Sequence, residues 1–237
     1  MKKLKIISTS KNAELRVTID EAKKFIPEWY KKSSQKIKGL EKFSLVPYFS
    51  QSTTSTFKKC TPFLDSMTNG YIFSLSQDIE VSIREDGQPL ITWRNDSIVT
   101  VTHHDNEQWD GLFIPENCHK YVYKWNNDFT IKTPRGYSTI FTHPYNRFDL
   151  PFYTLSGVVD TDKYPLPVHF PFFIKKDFVG IIPAGTPLAQ LSFIKREHWF
   201  KNILKYNEKY TIMAMNLFLK KIDRSYKNQF WEKKIYE

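Results

Sequence analysis

The chain has 237 residues, 41% of them hydrophobic and 16% aromatic, with 35 Lys and Arg against 25 Asp and Glu. That load supports a sizeable core and excludes a disordered composition. Two cysteines, Cys60 and Cys118, are too few for a disulfide framework or a thiolate zinc site, and a reducing compartment is the simpler assumption. The net charge of +10 is divided unevenly: residues 1–45 carry seven net positive charges, residues 195–237 carry six, and residues 46–194 carry three net negative. Basicity points to polyanions, so weak nucleic-acid contact is expected of the two ends alone. The plainer reading places these lysines on solvated helix faces. No run approaches the roughly 18 apolar residues of a membrane span, so no membrane partner is expected. The start, MKKLKIISTS, lacks the apolar region of a signal peptide, so secretion by that route is not expected.

In chain order, residues 1–45 read as a basic arm with a short helix. Thr18 followed by Glu21 is a capping pattern, which predicts a helix over about Asp20–Phe25, stopped by Pro27, with a second turn around Trp29. QSTTSTFKKCTPF reads as a loop. From Gly70 the period changes to two, and residues 46–196 are expected to form a β core. YIFSLSQDIEVSI alternates, EDGQ at 85–88 makes a hairpin turn, PLITW returns, and SIVTVTH at 97–103 alternates again. Further strands are expected at Lys120–Trp125, Phe129–Lys132, Tyr137–Thr142, Phe152–Val159, His169–Ile174, Val179–Ile182 and Leu188–Ile194. Such short, regularly spaced strands predict a mainly β barrel or sandwich. Pro165, Pro167 and Pro171 within PLPVHFPFF predict an edge or irregular strand whose aromatics fill the core or meet another subunit. Residues 197–237 carry apolar side chains at spacings of three and four from Trp199 to Phe230, which predicts one or two basic amphipathic helices.

Several clusters bear on chemistry. Asp160 and Asp162, in GVVDTDKY, share a face if extended. They are either a paired-carboxylate site or a solvated turn. His103 and Asp105 have the spacing of a facial-triad iron site, with His143 as third ligand and Arg147 behind it for an oxo-acid; a cupin-like metal site would use the same residues. Cys118 and His119 are adjacent, so on a strand they point to opposite faces and do not form a nucleophile pair.

Three segments in series carry a family resemblance: IKTPRGYSTIF, GVVDTDKY and IPAGTPLAQLSF. Residues 127–193 resemble the dUTPase family and its β-clip relatives, among them the dCTP deaminases. The resemblance implies a β-clip-like core. It also implies a nucleotide pyrophosphohydrolase site, with Asp160 positioning water, Gln190 helping to hold it, and Asp162, Tyr164, Arg135 and Arg147 meeting the substrate. Mg²⁺ is the cofactor that site would use, and no cofactor is expected otherwise. The pattern departs at the phosphates: the family's Pro-Arg-Ser segment falls where this chain reads THPYN, and no Gly follows Gly185. KKCTPFLDSMTNGYIFSL, IKTPRGY, GVVDTD and IPAGTPLAQLSFIKRE also resemble a group of proteins from marine tailed phages and, more distantly, bacteria. That likeness implies a viral source and a place in the host cytoplasm or the virion. The favoured expectation is a non-catalytic phage accessory or virion protein, a homo-oligomer (a trimer, as in β-clip proteins) or a partner of other phage proteins. The dUTPase-type hydrolase stands second and an iron or cupin-type enzyme third.

Overall fold

A computed structural model describes residues 2–9, 18–37, 56–95, 99–219 and 225–236. The chain divides into two units: residues 1–26, 67–196 and 236 form one, and residues 27–66, 197–235 and 237 the other.

The first unit is mainly β, and all of its strand pairs are antiparallel. In chain order its strands are β1 (Lys5–Ser8), β2 (Ile19–Glu21), β3 (Tyr71–Ser74), β4 (Ile79–Ile83), β5 (Pro89–Trp93), β6 (Val101–His103) and β7 (Tyr123–Trp125). Then follow β8 (Phe129–Lys132), β9 (Tyr137–Thr142), β10 (Phe152–Thr154), β11 (Gly157–Val159), β12 (Phe170–Ile174), β13 (Gly180–Ile182) and β14 (Pro187–Lys195). They form a five-stranded sheet, β11-β9-β14-β3-β2, and a four-stranded one, β10-β12-β7-β6. A three-stranded sheet, β13-β4-β5, and the pair β1-β8 complete the unit.

The core draws on all these sheets. Trp125 stacks on Phe172 with ring centroids 3.5 Å apart, and Phe152 meets Trp125 edge-on at 5.0 Å. Phe170 packs between Phe73 and Phe141 of the five-stranded sheet. Each such aromatic contributes about 1.5–3 kcal/mol by burial. One polar thread crosses this apolar volume: Trp125 Nε1 donates to Thr154 Oγ1, which donates to the Leu188 carbonyl. Gly70 is obligatory, because its φ is +71° and an added Cβ would lie 1.9 Å from the Leu191 carbonyl oxygen.

The N-terminal residues depart from the expected arm. Lys5–Ser8 pairs with β8, and Ile19–Glu21 pairs with β3. The Thr18–Glu21 capping pattern is therefore spent on a strand, and a 3-10 turn, Ala22–Phe25, follows without a side-chain cap. Pro171 departs too. β12 is central, not an edge, and Phe170, Phe172 and Phe173 are all buried. The Pro171 carbonyl accepts from Leu155 N–H, just past the end of β10. Its nitrogen points the same way, so the missing donor falls where that pairing stops. The expected strand Phe152–Val159 is two strands in two sheets, because the chain leaves β12 after Thr154 and joins β9 at Gly157.

In the second unit α1 (Glu28–Lys32) follows Pro27, and α2 (Thr61–Thr68) begins there and ends in the β unit. Tyr30 stacks on Phe63. Residues 197–207 are not helical, contrary to the apolar spacing; α3 (Glu208–Leu219) starts only after Asn207, whose Oδ1 accepts from Lys209 N–H as a cap, and α4 (Ser225–Gln229) follows. Trp199, Phe200, Ile203 and Leu204 are 88%, 93%, 81% and 74% exposed. Most of QSTTSTF lies outside the described residues.

Candidate functional site

β11 delivers the chain into the turn Asp160–Tyr164, where Lys163 and Tyr164 N–H both donate to the Asp160 carbonyl. A second turn, Pro134–Tyr137, lies between β8 and β9, with Gly136 at φ +85°. Thr161 fastens the two. Its hydroxyl meets Thr133 Oγ1 at 2.9 Å and Thr139 Oγ1 at 2.7 Å, and all three threonines are buried.

The carboxylates flanking Thr161 are engaged by one guanidinium. Arg196, just past the end of β14, donates through Nη2 to Asp162 Oδ2 and lies 3.2 Å from Asp160 Oδ1 through Nη1. Nη1 also donates to Ser138 Oγ and the Tyr137 carbonyl. Ser138 Oγ donates to Asp160 Oδ1 at 2.7 Å, and Gly136 N–H donates to Asp162 Oδ2 at 2.8 Å. The hydrogen bond from Arg196, then that from Gly136, lowers the Asp162 carboxyl to about 2. Asp162 Oδ1 is buried and has no hydrogen-bond partner.

The other expected residues are dispersed. Gln190 is 1% exposed; its Nε2 donates to the Asn69 carbonyl at 2.6 Å and its Oε1 accepts from Tyr145 N–H at 2.9 Å. It pairs with Thr142, four residues along β9 from Ser138. That separates it from the Asp160 contact by about 13 Å within one chain. Arg147 grips Asp149 through Nε and Nη2 and reaches the Phe25 carbonyl, so it does not turn to Asp160. Tyr164 is exposed. Arg135 and Lys132 do converge near the turns: with Lys3, Lys5, Lys163 and Asp162 they line a groove of ≈ 480 Å³.

The proposed iron ligands are not brought together. His103 pairs with Tyr123, Tyr123 with Phe172, and Phe172 with Thr154. Thr154 N–H donates to His143 Nδ1, so three strand spacings, about 14 Å, separate His103 from that contact. His143 Nε2 donates in turn to the Arg147 carbonyl, so both ring nitrogens are occupied, and burial lowers its pKa. His103 and Asp105 do line a separate hollow of ≈ 240 Å³ with His104 and Glu107. Among the described residues no group of three or more His, Cys, Asp or Glu could hold a metal ion. Asp160 and Asp162 also fit Mg²⁺ poorly, since they share a guanidinium and stand beside lysines.

Sequence reasoning missed Arg196, Ser138, Lys3 and Lys5 as members of this region. For the lysines a signal existed: two residues apart, they share a face once the segment is a strand. Arg196 carried none. No family model matches the chain, and no curated protein matches it.

Proposed function

We propose that this chain is a non-catalytic binding and assembly protein on a β-clip-like core, of the kind a tailed phage uses as an accessory or virion component. The observation that carries the reading is the network around GVVDTD, together with the burial of Gln190 away from it. Arg196 holds both carboxylates, and Asp160 Oδ1 also accepts from Ser138. A carboxylate that orients water for attack needs a partner across that water. Gln190, the expected partner, is buried and tied to the Tyr145 N–H and the Asn69 carbonyl. The network instead staples the Pro134–Tyr137 turn to the Asp160–Tyr164 turn.

The assembly half of the reading rests on residues 199–206. A non-helical run with Trp199, Phe200, Ile203 and Leu204 in water differs from the scattered apolar residues of an ordinary surface. A second copy of this chain is the occupant we assign to it. The test is turnover of dUTP, dCTP, dTTP and dATP with Mg²⁺, read as pyrophosphate and base products, with light scattering alongside. No turnover and an oligomer at micromolar concentration are expected. Turnover that disappears in Asp160→Ala would restore the hydrolase reading, and a monomer would remove the assembly reading.

A further inference from the structure

The groove between the two turns gathers five cations. Lys3 and Lys5 come from the N-terminal strand region, Lys132 ends β8, Arg135 sits on the Pro134–Tyr137 turn and Lys163 on the Asp160–Tyr164 turn. Among the described residues none of the five has a carboxylate within ion-pair distance. The one carboxylate in the wall, Asp162, has its Oδ2 taken by Arg196 and Gly136.

Strand register makes the charge density costly. Lys5 lies directly opposite Lys132 in the β1–β8 pair. Opposed like charges destabilise a cross-strand pair. Leu4 and Ile6 pack on the core, so Lys3 and Lys5 are committed to the outer face by alternation. A bound anion offsets that repulsion. The hollow has the volume of an ordinary small-ligand site.

The wall also specifies a donor. Asp162 Oδ1 is buried, ionised and unpartnered, on a side chain only 3% exposed. A phosphodiester has no proton to give it, whereas a ribose 2′-hydroxyl beside the phosphate satisfies it. We propose that this groove binds ribose phosphate, with the lysines and Arg135 on the phosphates and Asp162 Oδ1 accepting from the sugar hydroxyl. Such a ligand comes as a single-stranded RNA backbone or as a free ribonucleotide. The site adds a ligand to the non-catalytic reading, and binding fails or succeeds independently of turnover.

The experiment is fluorescence anisotropy on the full chain with a labelled eight-nucleotide oligouridylate, its deoxy counterpart, and unlabelled ATP as competitor. RNA binding with a Kd below about 100 µM is expected at about 50 mM salt, falling roughly 15- to 100-fold by about 200 mM as three to five phosphates lose their cations. Lys5→Glu and Arg135→Glu each weaken binding by about tenfold or more, while Lys201→Glu, outside the groove, does not. Lys5→Glu melts at or above the parent temperature, because Glu opposite Lys132 replaces a repulsion with an attraction, so loss of binding is not loss of fold. The deoxy strand binds at least about fivefold more weakly. Displacement by ATP assigns the free nucleotide as source, and its failure assigns the strand. No RNA or ATP binding at low salt, or binding indifferent to Lys5→Glu and Arg135→Glu, overturns the site. Equal affinity for RNA and DNA overturns the role given to Asp162.

Discussion

Gln190→Leu separates a structural glutamine from a catalytic one. The side chain is 1% exposed and joins two backbone groups, accepting from Tyr145 N–H and donating to the Asn69 carbonyl. Leucine keeps the bulk and removes both bonds. Each backbone group left unpaired in a buried place costs about 1–3 kcal/mol, so the variant is expected to lose about 2–5 kcal/mol. For a unit of this size a loss of about 3 kcal/mol lowers the melting temperature by about 6–12 °C. Urea unfolding followed by near-ultraviolet circular dichroism should show a lower midpoint with an unchanged slope. An unchanged midpoint together with loss of nucleotide turnover would refute the assignment and return Gln190 to an active site.

Gly70→Ala meets a positive φ and a carbonyl at 1.9 Å, so a loss of more than about 3 kcal/mol is expected, and a parent-like melt would contradict the packing of β3 on β14. Burial lowers the pKa of His119, His143 and His169, and at His143 it outweighs the opposing hydrogen bond from Nε2 to the Arg147 carbonyl. Their contribution is complete above the ordinary value of 6.5 and is lost as pH falls below it; melting from about pH 7 to 5 should decline, and decline less in His143→Gln. Asp162 gives a second acid step. Its contribution is complete above the ordinary 3.8 and disappears as pH falls through about 2, so Asp162→Asn should flatten a carboxyl titration in that window.

The strands were legible where turn residues bounded them and the pairing partner stayed constant over their length. Phe129–Lys132 and Tyr137–Thr142 stand where the flanking turn residues bounded them. Phe152–Val159 did not survive whole, because alternation runs on unchanged while the chain changes sheets at Leu155. The apolar spacing at Trp199–Tyr206 satisfied a helical template, yet the cap at Asn207 sets the start of the helix and spacing alone is blind to it. For the site, the DTD turn announced itself by composition. What holds it did not: Arg196 acts across a separation of 34 residues from Asp162, and no local pattern encodes such a partner. The Lys5–Lys132 opposition likewise exists only once the register of β1 on β8 is known.

β3 sits inside the five-stranded sheet and pairs on one side with β2 and on the other with β14. Tyr71 lies opposite Leu191, so its partner leaves the ribosome on the order of 100 residues later. At about 5–20 residues per second that is a delay of seconds or more, during which the unpaired edge of β3, with buried-type Ile72 and Phe73, has no native cover. The β1–β8 pair imposes a similar wait at the N-terminus. Such long-range pairings place this domain among slow folders. A nascent chain stalled before β14 should therefore be held by chaperones or lost to proteolysis, whatever the mature protein binds.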